Sequence, residues 1–348
     1  MENNIRILDT KLILAILATG IMSFSGIVVE TAMNVTFPIL MQEFSISTDL
    51  VQWITTAYLL VLAMIIPLST YLKKKYPAKM LFVTAILFFI TGTVFCAIAG
   101  SFWLLILGRV IQGIGTGIAL PMMFNIVLEQ VPGEKLGLMI GIATLIVAMA
   151  PAVGPSLGGM LVKYFGWRMI FIALLPFLFL SFGLGAATIR QVTPLASTGF
   201  NWLAYLLMAI SFCSFIFATS LTAAYGWLSY QVIFLFCLSL LSIAIFYRLS
   251  LSASQALLHV EVFHYSAFNL SFISLILIQF ICLGLGFLIP NYAQIVLHTD
   301  PFIAGCLLLP GCILGAMLAP VSGKLLDRLG PKKPILLGNA SIIIAAPT

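Results

Sequence analysis

Residues 103–128 read WLLILGRVIQGIGTGIALPMMFNIVL and contain a single charged residue, Arg109. A helix needs roughly 20 mostly apolar residues to cross a membrane. Nine further apolar runs of similar length lie between charged or Pro- and Gly-rich breaks, at 12–34, 50–72, 80–99, 136–162, 168–189, 201–222, 228–248, 267–296 and 302–322. The sequence therefore predicts an all-α polytopic membrane protein with ten spans. An eleventh run after Pro334 is too short to cross.

The composition excludes the other broad classes of protein. Of 348 residues, 62% are hydrophobic and 7% are charged, and the mean hydropathy is +1.19. A soluble domain carries about 25% charged residues, and a disordered chain combines low hydrophobicity with high charge. The net charge is +6, but the sequence contains no folded basic domain on which these charges could form a nucleic-acid-binding surface. The six cysteines lie in apolar runs without paired spacing, so we expect no metal site and no cofactor.

The Lys and Arg residues predict which side of the membrane each loop faces, because positive residues in short loops stay cytoplasmic. Of the 16 Lys and Arg residues, Arg109 lies within a span. If the N-terminus is inside, Lys163 and Arg168 fall outside and the remaining 13 are cytoplasmic. We therefore expect a multi-pass protein with a cytoplasmic N-terminus.

An internal repeat indicates two related helix bundles. Residues 67–79, PLSTYLKKKYPAK, match residues 320–332, PVSGKLLDRLGPK, at a constant offset of 253. Both copies run from a helix end into a basic loop, as in many secondary transporters. We expect an N-terminal six-helix bundle in residues 1–190 and two additional linker spans in 191–250. Residues 251–348 would start a C-terminal bundle, with two spans and a partial third.

Two charged residues lie well inside predicted spans, Glu30 and Arg109. An intramembrane charge costs at least about 2.5 to 3.5 kcal/mol, so it normally faces a partner or a cavity. Asn34 shares a helix face with Glu30, and Gln112 shares one with Arg109. One hypothesis is that Glu30 carries a proton and Arg109 tunes it. The alternatives are a fixed ion pair between them, or a Glu30 that is hydrated near the outer interface.

The fifth run contains APAVGPSLGG, residues 150–159. Its small residues and prolines share helical spacing, which predicts close helix packing. The two prolines also remove backbone donors and allow bending, which suits a helix that rocks during transport. The residues of this motif are Pro151, Gly154, Pro155, Gly158 and Gly159.

The second copy of the repeat continues as GKLLDRLGPKK, residues 323–333. One interpretation is a basic anchor that keeps the loop cytoplasmic. The other is a cytoplasmic latch, in which Asp327 pairs with a basic group or a helix N-terminus in one state and releases it in another.

Further polar residues within the runs could line a substrate cavity, although each is a weak signal because helices also use such groups to bond one another. Together with Asn34 and Gln112, the candidates are Gln52, Tyr58, Asn125, Gln279, Asn291 and Gln294.

The chain resembles the major facilitator superfamily, and within it the fourteen-span drug:proton antiporter family. The resemblance covers essentially all of the chain and rests on ETAMNVTFP (30–38), QWITTAYLL (52–60), PLSTYLKKKYPAK (67–79), LLILGRVIQGIGTG (104–117), APAVGPSLGG (150–159), FGWRMIF (165–171) and GKLLDRLGPKK (323–333). It implies the major facilitator fold, with a C-terminal bundle that is incomplete because about four helices of the family plan are absent.

The resemblance also assigns roles to individual residues. It matches Arg109 to the family's proton-coupling Arg, and Gly154, Pro155, Gly158 and Gly159 to its antiporter signature. It implies that the cytoplasmic latch consists of Gly323, Asp327, Arg328, Gly330 and Lys332. In many relatives the acid of the first span lies one residue earlier, where this chain has Val29. In the first loop copy, Thr70, Lys74 and Pro77 replace the expected Gly, acid and Gly.

The leading functional hypothesis is a proton-coupled antiporter that exports hydrophobic or cationic drugs across a bacterial plasma membrane. Its expected partners are small substrates, protons and membrane lipids, without nucleic acid, and we expect a monomer. The alternative is a truncated membrane protein derived from such an exporter that does not transport. An enzyme is not expected, because the spans lack paired acids, a Ser/His/Asp set and a phosphate-binding Gly loop.

Overall fold

The computed structural model describes residues 8–195, 199–252, 258, 260–330 and 332–345. Within these ranges the chain forms α-helices and two short 3-10 turns, Gly133–Lys135 and Val260–His264, and no strand. The helices are α1 (Thr10–Phe44), α2 (Thr48–Lys75), α3 (Ala78–Ala97), α4 (Phe102–Gln130), α5 (Leu136–Phe165), α6 (Arg168–Thr188), α7 (Trp202–Tyr225), α8 (Tyr230–Ser252), α9 (Ser266–Ile295), α10 (Pro301–Cys306), α11 (Leu309–Leu329) and α12 (Lys332–Ala345).

Ten spans in the described part of the chain are long and apolar enough to cross a membrane. They coincide with the ten predicted runs, and α10 and α11 together supply the tenth, Phe302–Leu326. Helix α12 has 14 residues, fewer than the roughly 20 that a span requires. The prediction of an all-α polytopic membrane protein is confirmed.

Local sequence signals explain where several helices begin and end. The Asp9 carboxylate accepts the Leu12 N–H at 2.8 Å and caps the start of α1, as acidic and hydroxyl residues do at helix N-termini. Helix α5 ends at Gly166, whose φ of +85° lies in the region that favours glycine. Gly330 ends α11 in the same way, with φ of +73°.

Two helix boundaries differ from the predicted ones. Helix α1 continues through Pro38 to Phe44, about ten residues beyond the expected end at residue 34. A proline removes one backbone hydrogen bond, but the apolar residues around it remain buried in the bundle, including Phe37 and Leu40. The tenth span is interrupted between α10 and α11 at residues 307–308, because the proline at position 310 favours the first turn of a new helix.

Helices α1 to α6 run up and down between two faces of the molecule. At the face where α1 begins, here called face A, Arg190 after α6 bonds Asp9 before α1 at 3.1 Å. At the opposite face, face B, Glu43 at the end of α1 pairs with Arg168 at the start of α6, with 2.8 Å between Oε1 and Nη2. These contacts at opposite ends place α1 and α6 antiparallel to each other.

The interior of α1 to α6 contains two apolar clusters, one towards each face. The cluster towards face A includes Phe82, Phe89 and Met123. The cluster towards face B includes Met33, Leu40 and Phe171. The buried Thr93 lies on α3 between Phe89 of the first cluster and Cys96 of the second, and Arg109 is the largest completely buried side chain among the described residues. The fold therefore places a polar layer at the middle of the bundle.

Helices α7 and α8 form a hairpin that packs against α2. The two helices exchange hydrogen bonds through serines: Ser211 Oγ donates to the Ser239 carbonyl at 3.1 Å, and Ser239 Oγ donates to the Ser211 carbonyl at 2.9 Å. Trp53 of α2 contacts Phe217 of α7, with ring centroids 5.1 Å apart. This attachment leaves much of the outer surface of the hairpin apolar and exposed.

Candidate functional site

The centre of the polar layer is the Arg109 guanidinium, which is completely buried. Its Nε donates to the Ile54 carbonyl of α2 at 3.1 Å, and its Nη1 donates to Gln112 Oε1 at 2.9 Å. The guanidinium carbon lies 4.1 Å from the centroid of the Tyr58 ring, a cation–π distance. The remaining nitrogen, Nη2, is buried and has no hydrogen-bond partner among the described residues.

The groups that hold Arg109 are themselves hydrogen-bonded. Gln112 Nε2 donates to Thr93 Oγ1 of α3 at 2.8 Å, and Thr93 Oγ1 donates to the Phe89 carbonyl at 2.7 Å. The Tyr58 hydroxyl donates to the Gly26 carbonyl of α1 at 3.1 Å. A buried charge is tolerated when its surroundings supply such partners. The guanidinium therefore contacts α2 and Gln112 directly, and α1 and α3 hold it indirectly through Tyr58 and Gln112. Only Nη2 is not held in this way.

Glu30 lies on α1 and is partly buried. Its carboxylate interacts electrostatically with Arg109 and with Tyr58. It nevertheless forms no ion pair within the 4.0 Å limit with a described cation. A fixed, direct ion pair with Arg109, one of the alternatives considered for the sequence, is not what the structure contains. The two charges interact through their electric fields and not through a direct contact.

Two other polar residues of α1, Asn34 and Thr31, make different contacts. Asn34 Oδ1 accepts from Thr55 Oγ1 of α2 at 3.4 Å, so it lies at the α1–α2 boundary on the helix face of Glu30. Thr31 Oγ1 donates to the Ile27 carbonyl of its own helix at 2.9 Å and also lies against Gly154. The structure thus brings Tyr58, Arg109 and Gln112 into contact, with Glu30 in electrostatic range of Arg109 and Tyr58 and Asn34 one helical turn further along α1.

The remaining cavity candidates lie elsewhere. Gln52 and Gln279 are exposed. Asn291 Nδ2 donates to the Phe287 carbonyl of its own helix at 2.7 Å, and Gln294 Nε2 donates to the Pro290 carbonyl at 3.3 Å. Asn125 lines a separate cavity at face A. The role predicted for these residues in a substrate cavity stays a prediction.

That cavity at face A has an empty volume of about 520 Å³, which includes open solvent. Its rim contains the Lys73–Glu129 ion pair, which joins the ends of α2 and α4. Glu129 also accepts from Thr193 Oγ1 at 2.9 Å. Sequence reasoning missed this use of Glu129, although an acid at the end of the fourth run opposite three lysines was a usable signal. The lining residues are Ser69, Lys73, Ala78, Leu81, Ile118, Met122, Asn125, Ile126, Glu129, Gln130, Arg190, Gln191, Val192 and Thr193.

The glycines of the α5 motif pack against α1. A Cβ at Gly154 would overlap Thr31 Oγ1, and a Cβ at Gly158 would lie 2.8 Å from Ala32 Cβ. Gly159 is buried as well. Helix α5 is continuous through both Pro151 and Pro155. The prolines therefore do not interrupt the helix; the structure contains the close packing, and bending during transport stays a prediction.

The opposite side of α5 meets α10 and α11. A Cβ at Gly305 would lie 2.6 Å from the Pro155 carbonyl oxygen, and a Cβ at Gly323 would lie 2.5 Å from that of Gly137. Lys163 and Asp300 form an ion pair at face B, with 2.7 Å between Nζ and Oδ2. Glycine contacts and this ion pair thus join α5 to the tenth span from one face to the other.

The latch residues lie at the end of α11 on face A, near the start of α5. Gly323 belongs to the α5 contact, Arg328 lies in the last turn of α11, and Gly330 ends that helix. Lys332 begins α12 and is exposed. The side chain of Asp327 lies outside the described part of the structure, so the latch stays a prediction.

A cofactor or metal would need a cluster of ligating side chains. Within the described ranges, no three His, Cys, Asp or Glu side chains come together in a way that could hold a metal ion.

Comparison with known proteins identifies the family. The sequence profile described as the Major Facilitator Superfamily matches residues 19–347. The chain belongs to the major facilitator superfamily. This membership covers all ten spans except the first part of α1, and it confirms the fold that the motifs predicted.

Individual relatives agree with this assignment. The chain is 34% identical over 331 residues to the lincomycin resistance protein LmrB of Listeria innocua, covering 95% of this chain and 70% of that protein. It is 31% identical over 299 residues to a multidrug resistance protein B homolog of Mycobacterium tuberculosis, covering 85% of this chain and 55% of that protein. A crystal structure of the peptide transporter POT in complex with sulfate has a TM-score of 0.62 at 14% identity, covering 91% of this chain and 69% of that chain. That likeness concerns the fold alone.

Proposed function

We propose that this major facilitator transporter exports hydrophobic or cationic compounds in exchange for protons. The observation that carries the proposal is the Arg109 site. A completely buried guanidinium is fixed through Nε and Nη1, its Nη2 lacks a described partner, and the carboxyl group of Glu30 interacts with it electrostatically. An intramembrane charge held in this way is typical of a proton or ion pathway.

The proposed coupling uses the two protonation states of Glu30. The ionised carboxylate is stabilised by the field of Arg109, which favours a conformation that keeps the two groups close. The protonated carboxyl group is neutral and does not need the guanidinium, so the helices can separate at lower cost. A cationic substrate and a proton would compete for the same carboxylate, which is sufficient for exchange of one for the other.

The identity of the substrate is inferred from relatives. Proteins named for lincomycin resistance and multidrug resistance are 31–34% identical to this chain, which supports export of drug-like compounds. The fourteen-span family, the bundle boundaries at residues 190 and 250 and a monomeric state remain parts of the proposal.

We also propose that face A is the cytoplasmic side of a bacterial plasma membrane. Lys73, Lys135 and Arg190 lie at face A, together with the end of α11, whereas Lys163 and Arg168 lie at face B. This asymmetry agrees with the rule that the cytoplasmic loops of membrane proteins carry an excess of Lys and Arg. The latch around Asp327 and Arg328 would then act on the cytoplasmic side.

The test is transport of ethidium by purified protein in proteoliposomes under an imposed pH gradient. We expect Glu30→Gln to lower gradient-driven uptake by about tenfold or more, because the variant cannot exchange a proton. Glu134→Gln is the matched control, since Glu134 is an exposed acid at face A and should leave uptake unchanged. Equal uptake by Glu30→Gln and the parent would contradict the coupling role of Glu30. No uptake by the parent would favour the alternative of a membrane protein that does not transport.

A further inference from the structure

The free nitrogen of Arg109 has a fixed direction. A guanidinium is planar and rigid, so two contacts made by different nitrogens determine the position of the third. The contact from Nε to the Ile54 carbonyl fixes one side, and the contact from Nη1 to Gln112 Oε1 fixes the other. The direction of Nη2 therefore depends on Gln112 presenting its oxygen, and not its nitrogen, to Arg109.

A side-chain amide does not select that orientation by itself, because its oxygen and nitrogen ends are similar in shape and can exchange places. The selecting group is the Thr93 hydroxyl. Its one hydrogen is donated to the Phe89 carbonyl at 2.7 Å, so Oγ1 can only accept from Gln112. Gln112 Nε2 donates to that oxygen at 2.8 Å, which leaves Oε1 for Arg109. The Cys96 thiol, 3.8 Å from Gln112 Oε1, agrees with this orientation as a weak donor.

Thr93, Gln112 and Arg109 are all completely buried, so bulk solvent does not reach these hydrogen bonds. With the amide reversed, Nε2 would face the guanidinium and two donors would oppose each other without an acceptor, which is unfavourable in a low-dielectric interior. Thr93 belongs to α3, and its described hydrogen bonds are to Phe89 and Gln112. Its influence reaches Arg109 through Gln112.

We propose that Thr93 is a positioning residue of proton coupling, whose hydroxyl orients Gln112 and thereby fixes the direction of Arg109 Nη2, the guanidinium nitrogen that has no described partner. This inference rests on the proposed antiport. It assigns to Thr93, one of three threonines in the apolar sequence of α3, a part in coupling that the sequence does not indicate.

The test compares three variants in ethidium proteoliposomes. Thr93→Val removes the acceptor at nearly constant volume, and Thr93→Ser keeps it. Thr91→Val makes the same change at an exposed position of the same helix. Each variant is assayed for uptake driven by a pH gradient and for exchange of labelled against unlabelled ethidium without a gradient, which needs no net proton movement.

We expect Thr93→Val to lower gradient-driven uptake by about fivefold or more while exchange stays near the parent level. Thr93→Ser should restore coupling, and Thr91→Val should match the parent. If Thr93→Val does not accumulate in the membrane, Thr93→Ala removes the same acceptor without a branched side chain and takes its place.

Two results would overturn the inference while leaving the antiport proposal intact. One is a Thr93→Val variant that equals Thr91→Val in both assays. The other is an equal loss of uptake and exchange, which would mean that Thr93 supports the fold and not the coupling. Parent protein whose uptake ignores the pH gradient would overturn the antiport proposal and this inference with it.

Discussion

At the scale of single residues, the structure explains how an arginine can lie in the middle of a membrane bundle. Burying a charge without partners is strongly unfavourable. Arg109 offsets that cost with a backbone carbonyl, an amide oxygen and the face of an aromatic ring. The sequence indicated that Glu30 and Arg109 belong together because both are charges inside apolar runs. It did not indicate the aromatic contact, since Tyr58 was one of several polar residues of equal weight.

Two substitutions separate the contribution of the Tyr58 hydroxyl from that of its ring. Tyr58→Phe keeps the ring under Arg109 and loses the hydrogen bond to the Gly26 carbonyl, so we expect a loss of about 1 kcal/mol. Tyr58→Leu also removes the cation–π contact, which is worth about 2 kcal/mol when it is desolvated. Thermal unfolding of the detergent-purified protein should rank the parent above Tyr58→Phe, and Tyr58→Phe above Tyr58→Leu. Equal midpoints for the two variants would mean that the ring contributes nothing to holding Arg109.

At the scale of helices, the ten spans were predictable because each must supply enough apolar length to cross. Their contacts were less predictable. In α4 the glycines divide between neighbours: Gly108 and Gly115 lie against α3, whereas Gly113 and Gly117 lie against α2. Spacing alone shows that these glycines fall on faces, but the neighbour that each face meets depends on tertiary packing. The same applies to α5, whose motif was expected to permit packing and bending and is found packed in a continuous helix.

The α1–α5 contact predicts a steric effect at Gly154. Gly154→Ala places a methyl group against Thr31, and we expect a loss of about 1–3 kcal/mol because neither backbone can move away freely. Gly183→Ala in α6 is the matched control: no atom lies within 4 Å of a Cβ there, and the change should stabilise by up to about 1 kcal/mol through helix propensity.

A second variant tests the cause of that loss. Thr31→Ala removes the oxygen that the new methyl group would meet, so Thr31→Ala/Gly154→Ala should recover part of the stability lost in Gly154→Ala. Thermal unfolding measures both effects. If the double variant is as destabilised as the sum of the single ones, the overlap with Thr31 is not the cause.

At the scale of the whole molecule, charged residues are divided between two faces and join helices that are distant in sequence. At face B, Trp167 Nε1 donates to Glu43 Oε2 at 2.6 Å and Arg168 also donates to the Ala99 carbonyl at 2.7 Å. The hydrogen bond from Lys163 and the backbone N–H of Phe302 lower the pKa of Asp300 below its ordinary value. The stabilisation from this ion pair is therefore present at neutral pH and is lost only as the pH falls through that lowered pKa. A pH gradient near neutrality does not act through Asp300.

The orientation of the two faces can be measured by labelling intact cells with a membrane-impermeant maleimide. Glu134→Cys lies at face A and Tyr164→Cys lies at face B, and both positions are exposed. With face A cytoplasmic, Tyr164→Cys should react in intact cells and Glu134→Cys should react only after permeabilisation. The parent protein, with its six native cysteines, sets the background. The reverse pattern would contradict the orientation that we propose.

The segment that follows α6 has a practical consequence for building reporters from this protein. Arg190 bonds Asp9 before α1, Gln191 Oε1 accepts the Ala78 N–H of α3 at 2.6 Å, and Thr193 bonds Glu129 of α4. A fluorescent domain inserted among these residues would detach three helix ends at once. The turn between α7 and α8, where Trp227 and Leu228 are exposed, offers an insertion point that leaves the contacts of Arg190, Gln191 and Thr193 in place.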